Sequence, residues 1–257
     1  MTAGCIHTLQ PFPKDMLEMQ EEATKHADAS SGFWLLGVLA TRCVNLLSNV
    51  SKTKGMESVL SLVEEGIVLQ QDFQHVLGLF TQHEPYTTTR EIRGDPVLIY
   101  DGRIDLYMTP WAIRVWNNSR MLQVVVCEVL FHLMNRILDA NITPVHRAQI
   151  MTKLHETFQI LSTLGDDMLA TVPQALGVVS SAPDLDLYLD LPARVSVSRG
   201  YMVVWSLYTV GKSPVTRSET RKWIITILKH VGHTAGIAMA LRFADDVDEI
   251  DKLADHL

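Results

Sequence analysis

Along most of the chain apolar positions recur every three or four residues, the period of an amphipathic helix. Lys14 to Ala27, entered through Phe12 and Pro13, reads as a charged and modestly amphipathic helix. Ser30 and Ser31 are placed to cap the next, Phe33 to about Val50, which is bulky and apolar on most sides. A polar stretch at 51–55 separates it from Met56 to Gln82. There Val59, Leu62, Val63, Ile67, Phe73, Val76, Leu77 and Phe80 keep helical spacing, with Gly66 a candidate kink. Residues 83–108 hold Pro85, Gly94, Pro96 and Gly102 and break the pattern. Val97 to Tyr100 and Ile104 to Tyr107, joined through Asp101, Gly102 and Arg103, predict one small β-hairpin, because Asp-Gly suits a tight turn.

A long helix is predicted from Pro110 to Leu138. Thr143 as cap and Pro144 at the first helical position restart the chain into a helix through Leu154, Phe158 and Leu161 towards Ala170. Pro173, Gly177, Pro183 and Pro192 read as a loop. Ser198 can cap Gly200 to Val210, Ser213 and Pro214 lead into Arg217 to His233, and Ile237 to His256 closes the chain. With no internal repeat and no flexible linker, residues 1–257 read as one all-α domain.

Composition narrows the classes. Of 257 residues 47% are apolar and 20% charged, enough for a sizeable core and too greasy for a disordered chain. The formal charge of −7, with no basic cluster, argues against direct nucleic-acid binding. Cys5, Cys43 and Cys127 are scattered and odd in number. They make neither a disulfide framework nor a C-x-x-C zinc pattern, which points to a reducing compartment, the cytoplasm by default. The N-terminus lacks the charged and apolar regions of a secretory signal. Phe33 to Leu47 carries Arg42 and falls short of the ~20 apolar residues of a span, so it reads as a core helix with no membrane role.

The long helix holds the most suggestive side chains. Glu128, His132, Asn135 and Arg136 fall within one arc of about 100°, while most of the remaining circumference is Leu, Val, Ile, Met and Phe. That stripe either meets water or lines an internal pocket. Glu128 and His132, four apart, can hydrogen-bond and tune a general base or acid; Cys127 lies about 100° away around the helix. Tyr201, Trp205 and Tyr208 recur at i, i+4 and i+7, which is core packing or an aromatic wall for a flat ligand. His230 and His233, and His155 beside Glu156, lack a third ligand at an obvious offset and read as surface pairs. Residues 183–192 alternate acid and apolar positions, suiting a strip packed on the core or a docking motif; Asp245 to Asp255 reads as a solvated acidic face. No Walker, G-x-G-x-x-G, G-x-S-x-G or H-E-x-x-H pattern occurs, so no cofactor or metal is expected.

Taken in order, Trp111 to Arg120 running into Cys127 and Glu128, Met168 to Gly177, Gly200 to Tyr208, and Arg221 through Gly236 to Leu241 resemble the C-terminal helical regulatory domain of fungal zinc-cluster transcription factors. Gly102 to Tyr107 fits the same pattern, and the resemblance spans roughly 100–245. It implies an all-α effector fold, a fungal setting and secondary metabolism. Such factors read DNA through a two-zinc, six-cysteine module, which three scattered cysteines cannot build.

Two functions from different classes follow. One is a cofactor-independent enzyme of proton transfer on a small organic metabolite, an epimerase, isomerase or cyclase in a pocket derived from a regulator's effector domain. Glu128 and His132 are its catalytic pair; Arg136, Tyr201 and Trp205 bind the ligand. The other is a co-regulator without its own DNA contacts, acting in the nucleus through a full-length zinc-cluster factor. A homodimer is a further expected partnership under either reading.

Overall fold

The computed structural model describes residues 5–6, 8–28, 30–91, 95–140, 142–179 and 195–254. Its helices are α1 (Lys14–Thr24), α2 (Gly32–Lys52), α3 (Met56–His83), α4 (Pro110–Leu138), α5 (Pro144–Leu169), α6 (Val172–Leu176), α7 (Val197–Lys212), α8 (Ser218–Ala235) and α9 (Ala238–Ala254). One two-stranded antiparallel sheet, β1 (Tyr86–Thr89) and β2 (Ile104–Tyr107), pairs Tyr86 with Tyr107 and Thr89 with Ile104. The all-α class with one small β element therefore holds. The strip at 183–192, Gly94 and Asp255 lie outside the described residues.

The chain divides into two compact units, residues 1–83 with 122–161 and residues 84–121 with 162–257. In the first, Leu46, Leu69, Phe73, Val76 and Phe80 from α2 and α3 are buried, as are Val126, Leu130, Leu133 and Met134 from the second half of α4. Gly66 does not break α3, which runs through it without interruption. Its role is close approach: a Cβ there would stand 2.8 Å from Leu130 Cδ2. An ion pair between Arg42 and Asp72 ties α2 to α3 at the surface, which explains a charge within a greasy helix.

In the second unit α7, α8 and α9 bury Val203, Leu207, Ile224, Ile227, Leu228, Ala240 and Val247. Gly232 lets α9 approach α8, since a Cβ there would run into the Leu241 side chain. Strand β2 forms where expected, but its partner is 86–89 rather than 97–100. Asp95 caps a 3-10 turn at Pro96–Leu98, its side chain accepting from the Val97 amide, and a second turn follows at Tyr100–Gly102. Asp101 and Gly102 both sit at positive φ, 49° and 65°. Trp223 Nε1 donates to Val97 O and the Tyr100 and Thr220 hydroxyls lie 2.8 Å apart, so the turn is pinned to α8.

Two helices differ from expectation. The predicted loop after Ala170 contains α6, whose Val172, Pro173, Ala175 and Leu176 are buried and which ends at Gly177 with φ 81°. Helix α7 starts earlier than expected, because Ser196 rather than Ser198 caps it, accepting from the Arg199 amide. By length and composition alone α2 and α4 also suffice to cross a membrane, α2 extending past its apolar run at both ends; half of the most apolar window of α4 is buried inside the fold.

Replacing Gly66 by Val should cost about 1–3 kcal/mol by forcing Leu130 aside. Gly78→Ala, at an exposed helical site with open space around it, should instead gain ~0.5–1 kcal/mol. Urea melts of the two variants test the contrast.

Candidate functional site

The second half of α4 turns Val126, Cys127, Leu130, Leu133, Met134 and Ile137 into the core. The opposite face carries the predicted stripe, with Glu128 half-buried, His132 exposed, and Asn135 and Arg136 half-buried. Asn135 Nδ2 spends a proton on the Phe131 carbonyl at 2.9 Å, an internal helix bond. Burial pushes the Cys127 thiol up to about 12, helped by the adjacent Glu128 charge, and burial alone does the same to Cys43. Neither thiol is a nucleophile near neutral pH. An open groove of about 570 Å³ in this unit is lined by polar residues including Asn49, Lys52, Ser58 and Glu65, with neither Glu128 nor His132 among them.

Tyr201 and Trp205 lie in the other unit, and they stand outward from α7. Trp205 keeps 45% and Tyr201 50% of its surface exposed, with Val197 exposed one turn earlier. Val203, Val204, Leu207 and Val210 form the buried side of the same helix. The row Val197, Tyr201, Trp205, Tyr208 is therefore surface rather than core. Phe243 from α9 completes it, stacking on Tyr208 with centroids 3.8 Å apart and meeting Trp205 edge-on at 5.1 Å. Lys212 Nζ stands 5.2 Å over the Tyr208 ring, and the Tyr208 hydroxyl donates to Asp246 at 3.3 Å. Burial and the Asp246 charge together raise the Tyr208 pKa. Local periodicity could not supply Phe243, because it arrives from a different helix.

The densest polar chemistry gathers around a residue that sequence reasoning passed over. Arg120 is 1% exposed. Its Nη1 donates to the Tyr107 hydroxyl at 2.8 Å, and its Nη2 faces Asp167 at 3.6 Å, an ion pair without a hydrogen bond. The guanidinium lies 4.9 Å from the Trp116 ring centroid and 5.5 Å from that of Tyr86. Arg103 forks onto the fully buried Asp105 and also reaches Asp167 at 2.8 Å; Thr88 donates to Asp105 from the neighbouring strand. Gln174 binds β2 twice, accepting from the Tyr107 amide and donating to its carbonyl, both at 2.7 Å. Asn117 donates to Thr171, and the Asp105 amide to Ala170 O.

Burial works against the Arg120 charge, but Tyr107 and Asp167 outweigh it and hold the proton. Burial raises the Tyr107 hydroxyl in spite of Arg120 beside it. Burial, followed by the charge of Asp167, raises the neighbouring carboxyl of Asp166. Two guanidinium groups, Arg103 and Arg120, share the carboxylates of Asp105 and Asp167, so removing one partner disturbs the rest. They join β2, α4 and the end of α5, and Gln174 adds α6 through its bonds to β2. Asp105 between Ile104 and Leu106, and Arg120 amid Trp116 and Val124, were the available signals: charges in apolar company.

No known protein family, curated protein or solved structure matches the chain. Among the described residues no group of three or more His, Cys, Asp or Glu is arranged to hold a metal ion; His230 is half-buried and His233 exposed, and His155 lies 2.9 Å from Gln159.

Arg120→Ala should destabilise the protein by about 2–5 kcal/mol, because it opens a cavity beside Trp116 and Tyr86 and strips the buried Tyr107 hydroxyl of its partner, while Asp167 keeps Arg103; chemical denaturation reads this directly. Native protein treated with iodoacetamide at neutral pH should be alkylated at Cys5, and at Cys43 and Cys127 only after unfolding, as peptide mass mapping would record.

Proposed function

We propose that the chain is a regulatory protein that acts by binding another protein through the aromatic face of α7 and α9. The observation that carries this is the half-exposure of Trp205 and Tyr201 on a helix whose other side is fully packed. Tyrosine and tryptophan dominate binding hot spots, because a rigid ring buries much area at little entropic cost. The stack of Tyr208 on Phe243 stiffens this platform before any partner arrives. The resemblance of the 100–245 segments to the effector half of zinc-cluster factors makes a full-length factor of that class the partner to try first. The compartment is then the nucleus, and contact with DNA is left to the partner.

A second reading has one observation in its favour: Glu128, His132 and Arg136 share one face of α4, with Glu128 and Arg136 half-buried. In that reading the protein is a cofactor-independent epimerase, isomerase or cyclase. Glu128 removes a proton from an acidic carbon of a small metabolite, His132 acts as its partner acid, and Arg136 holds the developing enolate oxygen.

Replacing the chromosomal copy separates the two. The Tyr201→Ala/Trp205→Ala variant should reproduce the transcript and metabolite profile of a deletion while the protein accumulates and melts normally. Glu128→Gln should leave that profile unchanged. The reverse pattern would transfer the function to Glu128 and its stripe.

A further inference from the structure

The first 17 residues of α5 are nearly unburied. From Pro144 to Ile160 the single buried residue is Thr157, while Val145, Met151 and Phe158 expose large apolar surfaces. Helical geometry places Arg147, Met151, His155 and Phe158 in one row at i, i+4, i+8 and i+11. Met151 and Phe158 in this row leave apolar surface that a partner would cover with gain.

The row Val197, Tyr201, Trp205, Tyr208 on α7 has the same spacing, i, i+4, i+8 and i+11. Each row therefore runs about 16 Å along its helix axis, so two such helices can lie side by side and pair ring against side chain over their whole length. Their charges are opposite in the right places. Beside the aromatic row α9 carries five acids against two bases, and Asp245, Asp246 and Glu249 are exposed. The hydroxyl of Tyr208 holds Asp246 at the edge of the row. The α5 row brings Arg147, whose Nη2 also donates to Leu138 O, and Lys153 is exposed nearby, with Glu156 the one acid between 144 and 160. Pairing the α5 row with itself would set Arg147 against an apolar or cationic neighbour and leave the aromatic face bare.

We propose that the chain self-associates by seating the α5 row of one copy on the aromatic face of α7 and α9 of a second copy. This rests on that face being a docking surface, as argued for its function. A second copy then occupies the face whenever an outside partner is absent, and the partner binds by displacing it.

Sedimentation velocity of the full chain across a concentration series tests this. Wild type should show a concentration-dependent species heavier than the 28.8 kDa monomer. Trp205→Ala and Met151→Ala/Phe158→Ala should each weaken it by at least about tenfold, the size of a lost hot spot. Combining them should add little, since both remove the same contact. Arg147→Glu should weaken it too, and reversing Asp245, Asp246 and Glu249 to Lys in the same chain should restore it. A monomer at every concentration, or an oligomer indifferent to Trp205, overturns the proposal. An oligomer lost with Trp205→Ala but untouched by Met151→Ala/Phe158→Ala overturns it as well, while leaving the aromatic face a docking surface. The chromosomal replacement of Tyr201 and Trp205 decides that broader reading by itself.

Discussion

A guanidinium sealed inside a protein must find compensation for the water it gave up, and the arrangement around Arg120 is built to supply it. The Tyr107 hydroxyl, the Asp167 carboxylate and two aromatic rings surround it. Meeting that demand fixes several other things. Tyr107 must sit at the end of β2, so β2 must pair with β1 in the register that stacks Tyr86 on Tyr107, at 4.8 Å between centroids. Asp167 must close the last turn of α5, where Arg103 neutralises it together with Asp105. Gln174 then locks β2 to α6 through both of its backbone groups. In a region whose neighbours are mostly helices, a four-residue strand pair is marginal alone. This network is what gives it one position.

How far the chain could be read in advance follows from what each signal depends on. Helix positions depend on local periodicity, so α3, α4 and α5 begin where Met56, Pro110 and Pro144 announce them, and Thr143 caps α5 through its hydroxyl, which accepts from the His146 amide. The partner of β2 depends on distant residues. Asp101 and Gly102 do form a tight turn at positive φ, but Pro96 bends the preceding segment into a 3-10 turn and the pairing passes to 86–89. The short helix α6 escaped because Pro173 and Gly177 read as breakers. In fact Pro173 sits in the first turn and Gly177 is the left-handed stop.

The site residues divide in the same way. The arc of Glu128, His132 and Arg136 was legible from angle alone, but angle cannot say whether an arc faces water, and His132 is exposed. The aromatic row was legible as a row and ambiguous as core or surface. Burial on its opposite side decides the matter, since Val203, Val204 and Leu207 already fill the interior. Gly102 to Tyr107, Trp111 to Arg120 and Met168 to Gly177 meet around Arg120, a convergence that no local period announces.

The two compact units are interleaved in sequence. Residues 84–121 belong to the second unit yet are made before residues 122–161, which complete the first. A ribosome adding about 5–20 residues per second therefore exposes α2 and α3 well before the half of α4 that supplies Leu130 to the space beside Gly66. Arg120 likewise waits for Asp167, and β2 for Gln174. The first unit therefore closes around an inserted segment, 84–121, whose own unit is finished only by residues 162–257. The nascent chain carries the apolar faces of α2 and α3 uncovered by α4 until the second half of that helix has been made.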